Sequence, residues 1–289
     1  MSELTVSVVI PAFNEGAAIA GVVESVRQAL QGRTKALEVI VVDDGSSDDT
    51  AGAAERAHAT VLRHPANRGY GRALITGIEA ARHDWILMID ADGSYPGVEA
   101  AKLLEFAPAF DLVIGARTGA YYWGTPVQAL RRKIYLAIAR FAVGEDVPDA
   151  NSGLRLVRRS MVLGTGPVRC FGYSFTTTMT LSFLSAGRWV KYVPIAFEAR
   201  TGSSKVRMMR DVLRTLQLMT QVLLAFNPLK LFVALSVLPL ALGALYWLAY
   251  FFAGDPMFLL VASICGAASV MTFAAGCILD SIRMHNPSK

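Results

Sequence analysis

Two runs near the C-terminus, Leu231 to Ala253 and Pro256 to Leu279, contain no Asp, Glu, Lys or Arg. Each is roughly 23 residues long, about 35 Å as an α-helix, which matches the hydrocarbon thickness of a bilayer. They predict two transmembrane helices, at about 231–253 and 256–279. They also explain a composition of 53% hydrophobic and 18% charged residues, against about 25% charged in an ordinary soluble chain. What remains, about 230 residues of ordinary polarity, is enough for one large domain and a short connecting segment. A purely soluble enzyme is excluded, and so is a many-helix transporter.

Charge fixes the expected orientation. The turn Gly254-Asp255-Pro256 carries no Lys or Arg, whereas Arg207, Arg210, Arg214 and Lys230 precede the first run and Arg283 and Lys289 follow the second. The positive-inside rule therefore predicts a multi-pass protein of the cell inner (cytoplasmic) membrane, with the large domain and the C-terminus cytoplasmic. Just before the first crossing, Val206 to Phe226 spaces Arg207, Arg210, Asp211, Arg214, Gln217 and Gln221 by three and four, opposite Met208, Met209, Val212, Leu213, Leu216, Met219 and Leu223. This pattern predicts an amphipathic juxtamembrane helix. The net charge of +5 comes with no Lys/Arg run and no zinc-ligand spacing, so nucleic acid is not the expected partner. Cys170, Cys265 and Cys277 form neither a disulfide framework nor a metal site, and His58, His64, His83 and His285 follow no ligand spacing. The start, Met1-Ser2-Glu3, runs into Val6 to Ile10 without a basic flank, which reads as a β-strand rather than a signal peptide.

Short β-branched runs alternate with helical patterns from there on: Val6 to Ile10 then Gly16 to Leu30, Leu37 to Val42 then Asp48 to Ala57, Thr60 to Arg63 then Tyr70 to Arg82, Trp85 to Ile89 then Val98 to Phe106, and Leu112 to Ile114. Continuous apolar strands in β/α alternation predict an α/β domain with a mostly parallel, Rossmann-like sheet covered on both faces. Past Gly115 the pattern is irregular, with a basic helix at Pro126 to Phe141, a helix at Phe175 to Ala186 and a strand at Trp189 to Val193. Ligands of such sheets bind beyond the carboxyl ends of the strands. There the chain places Pro11-Ala12-Phe13-Asn14-Glu15, Asp43-Asp44-Gly45-Ser46-Ser47-Asp48-Asp49-Thr50 and Asp90-Ala91-Asp92. No Gly-x-Gly-x-x-Gly follows the first strand and no Gly-Lys-Ser/Thr occurs, so the dinucleotide and phosphate-loop folds recede. Asp43 or Asp44 could accept from a base or ribose, while Ser46 to Asp49 also suit a helix cap. Asp90 and Asp92, two apart on extended chain, point to one side and offer hard oxygen ligands for Mg2+ or Mn2+.

Val8-Val9-Ile10-Pro11-Ala12-Phe13-Asn14-Glu15, Val42-Asp43-Asp44-Gly45-Ser46, Asn67-Arg68-Gly69 and Asp90-Ala91-Asp92, in this order, resemble family 2 glycosyltransferases of the GT-A fold. Asp149-Ala150-Asn151-Ser152-Gly153 and Arg200-Thr201-Gly202-Ser203-Ser204-Lys205, followed by two crossings, resemble the polyprenyl-phosphate sugar synthases of the dolichyl-phosphate mannose synthase and undecaprenyl-phosphate glucosyltransferase group. The resemblance implies a GT-A domain over 1–205, an amphipathic helix over 206–227 and a membrane hairpin over 228–289. It implies inverting, metal-dependent transfer of a hexose from a nucleotide sugar, of the GDP-mannose or UDP-glucose type, to a polyprenyl phosphate. By the same resemblance Pro11, Phe13, Glu15, Asp44 and Asp90 surround the nucleotide, and Asp90 and Asp92 hold the metal-bound diphosphate. Asp149 stands where the wider superfamily often has an acceptor-activating carboxylate. Similar enzymes with two crossings can assemble as homo-oligomers.

The chemistry implied is coherent. A phosphate monoester has a second pKa near 6, so a lipid phosphate is mostly dianionic at pH 7 and already nucleophilic. The site then needs cations to position it, for which Arg117, Arg131, Arg200 and Lys205 are the candidates, rather than a strong base. Asp149 would orient an Arg or the acceptor, base catalysis being its other reading. Two departures stand out: Gly93-Ser94-Tyr95-Pro96 follows the carboxylate pair where the mannose-synthase group commonly has Leu-Gln, and Arg188-Trp189 lacks the Gln of processive synthases, having Ser185 there. The alternatives are a glycolipid hydroxyl acceptor, which makes Asp149 an obligatory base, and an inactive nucleotide-binding membrane scaffold.

Overall fold

Seven of the eight residues of the first strand set the centre of the domain: Thr5–Ala12 (β1) is buried from Val6 onward, as a strand covered on both faces must be. The computed structural model describes residues 4–164, 175–198, 217, 220–221, 223–224 and 227–285. The chain divides into two compact units, Met1–Thr215 and Leu216–Lys289.

In the first unit β1 is followed by Ile19–Leu30 (α1), Ala36–Asp43 (β2), Thr50–Arg56 (α2), Thr60–Arg63 (β3), Tyr70–Ala80 (α3), Trp85–Met88 (β4) and Gly97–Leu104 (α4). Then come Leu112–Arg117 (β5), Ala120–Trp123 (α5), Pro126–Val143 (α6), Arg155–Arg158 (β6), Arg159–Gly164 (α7), Phe175–Ser185 (α8) and Val190–Ile195 (β7). The seven strands form one sheet in the order β3-β2-β1-β4-β6-β5-β7. All pairings are parallel except those of β6, which runs antiparallel to both β4 and β5. The mostly parallel, two-faced sheet read from the β/α alternation is therefore present. Ile19, Val22, Val23, Val26 and Leu30 of α1, at spacings of three and four, pack on one face with α4, while α3 and α8 cover the other.

Two differences from the sequence reading have local causes. β6 falls in the irregular stretch past Gly115, to which the sequence pattern assigns no strand: Arg155 breaks up an apolar run only four residues long, too short for periodicity to reveal. The second helix begins at Thr50 rather than Asp48, since the Asp48 carboxylate accepts from Gly16 N at 3.1 Å and from Thr50 N at 3.1 Å. α6 starts with a capping box, Gln128 N donating to Thr125 Oγ1 at 3.4 Å and Thr125 N to Gln128 Oε1 at 3.0 Å, and stops at Gly144, whose φ is 79°.

Register places the chemistry. Ala12 lies opposite Asp43, and Met88 opposite both Val9 and Arg155. Because β6 is reversed, the loop that precedes it arrives at the same edge as the loops that follow β1, β2, β4 and β5.

The second unit contains Pro228–Ala253 (α9) and Pro256–His285 (α10), both apolar and long enough to cross a membrane. Asn227 caps α9 through Lys230 N at 3.2 Å, Gly254 closes it with φ 70°, and Asp255 Oδ1 accepts from Met257 N at 2.9 Å to start α10. Ser269 Oγ of α10 donates to Ser236 O of α9 at 2.8 Å, beside Pro239, which has no N–H of its own to give the helix. Of the juxtamembrane helix expected at 206–226, Gln217, Thr220, Gln221, Leu223 and Leu224 are described and helical; its other residues, and Cys170, lie outside the described residues.

Candidate active site

The loops after β1 and β2 interlock through backbone amides. Asn14 takes a left-handed conformation, φ 55°, which suits Asn better than most side chains. Its N–H donates to Ser46 Oγ at 2.9 Å, Glu15 N donates to Thr50 Oγ1 at 2.8 Å, and Ser47 N donates to Asn14 Oδ1 at 2.8 Å. The Ser/Asp/Thr run therefore pins one loop to the other. Pro11 is buried, and Phe13 and Glu15 are partly buried at this edge. Asp44 is 3% exposed, and its carboxylate accepts from Arg68 N at 3.0 Å, from Gly69 N at 2.8 Å and contacts His64 Nδ1 at 2.6 Å. It organises the Asn67-Arg68-Gly69 turn. Gly45 is required here: its φ is 76° and a Cβ would lie 2.7 Å from the Ala66 carbonyl carbon.

Asp90 and Asp92 follow β4. Asp90 Oδ1 accepts from Tyr70 Oη at 2.8 Å, while Asp92 Oδ1 accepts from Ser94 N at 3.0 Å and Ser94 Oγ at 2.6 Å. Burial, reinforced by the neighbouring charge of Asp92, pushes the Asp90 pKa up to about 6. Two carboxylates crowded in this way are a site that a divalent cation relieves. Among the described residues no cluster of three or more His, Cys, Asp or Glu side chains could hold an ion unaided. Two carboxylates completed by substrate phosphates is the donor set that suits Mg2+ or Mn2+, so the residues fit such an ion.

The loop 149–153 closes the site from the other side. Gly153 packs against the Asp90 carboxylate so closely that a Cβ would sit 2.2 Å from Asp90 Oδ2. Gly153 N donates to Tyr95 Oη at 2.8 Å, and burial raises the Tyr95 pKa to about 12. Asp149, 1% exposed, receives Arg117 Nε at 2.8 Å and Arg117 Nη2 at 3.0 Å as a fork, with Asn151 N at 3.0 Å. Burial opposes its charge, but Arg117 prevails and holds the Asp149 pKa below the ordinary carboxylate value. The Arg117 guanidinium also lies 4.9 Å from the Tyr122 ring centre and 5.3 Å from that of Phe197. Arg131 is on the exposed side of α6. Arg200 and Lys205 lie outside the described residues; the chain's last described residue before them, Glu198, donates its N–H to Ser94 O at 3.0 Å.

The sequence reading missed the residues that set this loop. Arg155 is fully buried and donates to Ser152 O at 2.7 Å, Ala150 O at 2.8 Å and Thr180 Oγ1 at 2.7 Å. Its signal was present: an Arg between Leu154 and Leu156 in an apolar run must bury a charge, and a buried charge must find partners. Gly153 and Tyr95 stand within stretches the sequence singles out, 149–153 and 93–96, but without a role of their own; Tyr70 and Phe197 had no comparable signal, because single aromatics are common.

A mostly parallel sheet thus carries paired carboxylates beyond β4 and a buried Arg–Asp fork at the end of β5 along one edge. The chain belongs to glycosyl transferase family 2, whose model matches residues 7–164. It is 34% identical over 169 residues to an undecaprenyl-phosphate 4-deoxy-4-formamido-L-arabinose transferase of Pseudomonas paraeruginosa, covering 54% of this chain and 48% of that one. It thus spans about half the length of that relative. It is 30% identical over 217 residues to a polyprenol monophosphomannose synthase of Mycolicibacterium smegmatis, covering 69% of this chain and 80% of that one. Among solved structures, glucosyl-3-phosphoglycerate synthase of Mycobacterium tuberculosis with Mn2+ and UDP-glucose superposes with a TM-score of 0.60 at 25% identity, over 76% of this chain and 78% of that one. The expected resemblance to the polyprenyl-phosphate sugar synthases and to the GT-A fold is met on both counts.

Proposed function

We propose that this protein transfers one hexose from a nucleotide sugar to a polyprenyl phosphate at the cytoplasmic face of the membrane, with inversion at C1. The domain over 1–205 carries the chemistry, 206–227 lies at the interface, and 228–289 crosses the membrane twice. The observation that carries the reading is the Arg117–Asp149 fork at the same sheet edge as Asp90 and Asp92. The names of the relatives, transferases acting on undecaprenyl phosphate and polyprenol, support the acceptor class.

Asp90 and Asp92 would hold Mg2+ or Mn2+, which when bound stabilises the negative charge that grows on the departing diphosphate. Pro11, Phe13 and Glu15 line the nucleotide end, and Asp44 acts by fixing the turn at Arg68 and Gly69. The dianionic acceptor attacks C1 from the side opposite the diphosphate, so the configuration inverts. Arg117, with Arg131, Arg200 and Lys205, supplies positive charge for the acceptor phosphate. A buried carboxylate whose pKa is depressed and whose oxygens already accept from Arg117 and Asn151 is a weak proton acceptor. Asp149 therefore orients Arg117, which favours a phosphate acceptor over a hydroxyl that needs a base.

The test is a panel of nucleotide sugars offered with undecaprenyl or dolichyl phosphate to the purified full chain. Mg2+ or Mn2+ should yield a lipid-extractable sugar phosphate, chelation should stop it, and Asp92→Asn should abolish it. Turnover confined to glycolipid hydroxyl acceptors would sink the phosphate reading. Absence of any metal-dependent nucleotide binding would leave a scaffold.

A further inference from the structure

Asp90 and Asp92 are held in different ways. Asp92 is fixed by its own loop, accepting from the N–H and the hydroxyl of Ser94 two residues on. Asp90 has no such local support. Among the described residues its one hydrogen-bond donor is Tyr70 Oη, at 2.8 Å and 20 positions earlier in the chain. Gly153 presses on the carboxylate with its backbone, but its N–H is spent on Tyr95 Oη. A carboxylate is an acceptor only, so with a single donor beside it Asp90 takes its orientation from that donor.

Tyr70 is placed for this from two sides. It opens α3 directly after Arg68 and Gly69, whose N–H groups are held by the Asp44 carboxylate at 3.0 and 2.8 Å. Asp44 is tied in turn to His64 Nδ1 at 2.6 Å, and His64 Nε2 meets Thr76 Oγ1 of the same helix at 3.0 Å. The ends of β2 and β3 thus fix the backbone from which the phenol projects. Its ring packs against the apolar cluster to which Leu74, Met88 and Phe175 belong, which leaves the hydroxyl to reach Asp90. A half-buried tyrosine at a loop edge ordinarily gives its hydroxyl to water or to a backbone carbonyl; this one gives it to one of the paired carboxylates.

We propose that Tyr70 is a positioning residue for the divalent cation: by donating to Asp90 Oδ1 it fixes the orientation in which that carboxylate meets Mg2+ or Mn2+, and it ties the metal end of the site to the turn that Asp44 holds at the nucleotide end. This rests on the reading above that Asp90 and Asp92 hold such an ion. Tyr70 acts through Asp90. Removing the hydrogen-bond partner of a ligating group typically costs about 10–100-fold in metal affinity.

The test titrates Mn2+ into the full chain in detergent micelles with UDP or GDP present, following free Mn2+ by its electron paramagnetic resonance signal against a nucleotide control without protein. Wild type should take up Mn2+, and Asp92→Asn should lose that uptake. Tyr70→Phe removes only the hydroxyl and should weaken Mn2+ binding about 10–100-fold with a cooperative melt retained. Ile78→Val, a buried change in the same helix, should keep the wild-type affinity. In the transfer assay Tyr70→Phe should raise the half-saturating Mn2+ by the same factor, with a smaller loss of rate at saturating Mn2+. Tyr70→Phe binding Mn2+ as wild type does overturns the proposal, and so does an equal loss in Ile78→Val, which would belong to α3 as a whole. In both cases the loss of uptake in Asp92→Asn leaves the metal reading standing. No uptake by wild type, or full uptake by Asp92→Asn, overturns the metal reading and the proposal together. Should Tyr70→Phe not melt cooperatively, the chain carrying 3-fluorotyrosine at position 70 decides: Mg2+ added in the presence of nucleotide should shift its fluorine resonance, and an unmoved resonance overturns the proposal.

Discussion

Gly153→Ala isolates the contact between the loop before β6 and the carboxylate pair. The added Cβ would sit 2.2 Å from Asp90 Oδ2 and 2.4 Å from both Cγ and Oδ1, where ordinary contact begins at 3.4 Å. The carboxylate or the loop must retreat by about 1 Å. The loop resists, because Gly153 N is bound to Tyr95 Oη at 2.8 Å and the carbonyls of Ala150 and Ser152 are held by Arg155. Asp90 yields instead, straining or breaking its bond from Tyr70 Oη. A displacement of this size at a reacting centre costs on the order of 100-fold, or about 2.7 kcal/mol of barrier. Overpacking itself costs the fold about 1–3 kcal/mol. The assay is initial rate of sugar transfer to undecaprenyl phosphate against Mn2+ concentration, with thermal melting of the same samples. Turnover should fall about 100-fold, half-saturation should require more Mn2+, and a cooperative melt should persist. A folded variant with the wild-type rate and the wild-type Mn2+ dependence would refute the claim that Gly153 sets the position of Asp90.

Arg155→Met removes the donor to three buried acceptors and should destabilise by about 3–5 kcal/mol, read as a lower melting temperature, with faster amide exchange in the 149–153 loop. Asp149 has a folded pKa below its unfolded value of about 3.9, so its contribution to stability is complete above that value and is lost as pH falls through the folded one. Asp149→Asn should therefore cost about 3–5 kcal/mol near pH 7 and flatten the decline of melting temperature below about pH 4; an unchanged acid profile would contradict the buried pair. Asp44→Asn keeps one carbonyl oxygen where the carboxylate had two, and should cost about 1–3 kcal/mol while raising hydrogen exchange at Arg68 and Gly69.

Much of this was legible in the residues. Unbroken apolar strands forced a sheet buried on both faces, and charge-free runs of bilayer length forced α9 and α10, because burial of apolar surface reads directly as pattern. Asp90 and Asp92 were visible since two carboxylates on extended chain share a side, and Arg117 and Asp149 were separately singled out. The sequence alone could not pair them. They lie 32 positions apart, and the fork between them exists because β6 turns back between β4 and β5, a reversal hidden in four residues. The same reversal brings Gly153 against Asp90 and gives Arg155 its carbonyl partners. Local pattern thus determined most of the strands and helices, the two helices long and apolar enough to cross a membrane, and which side chains are chemically apt. Tertiary structure decided which of those side chains touch, because contacts between distant residues depend on strand order and register, and neither leaves a periodic trace along the chain.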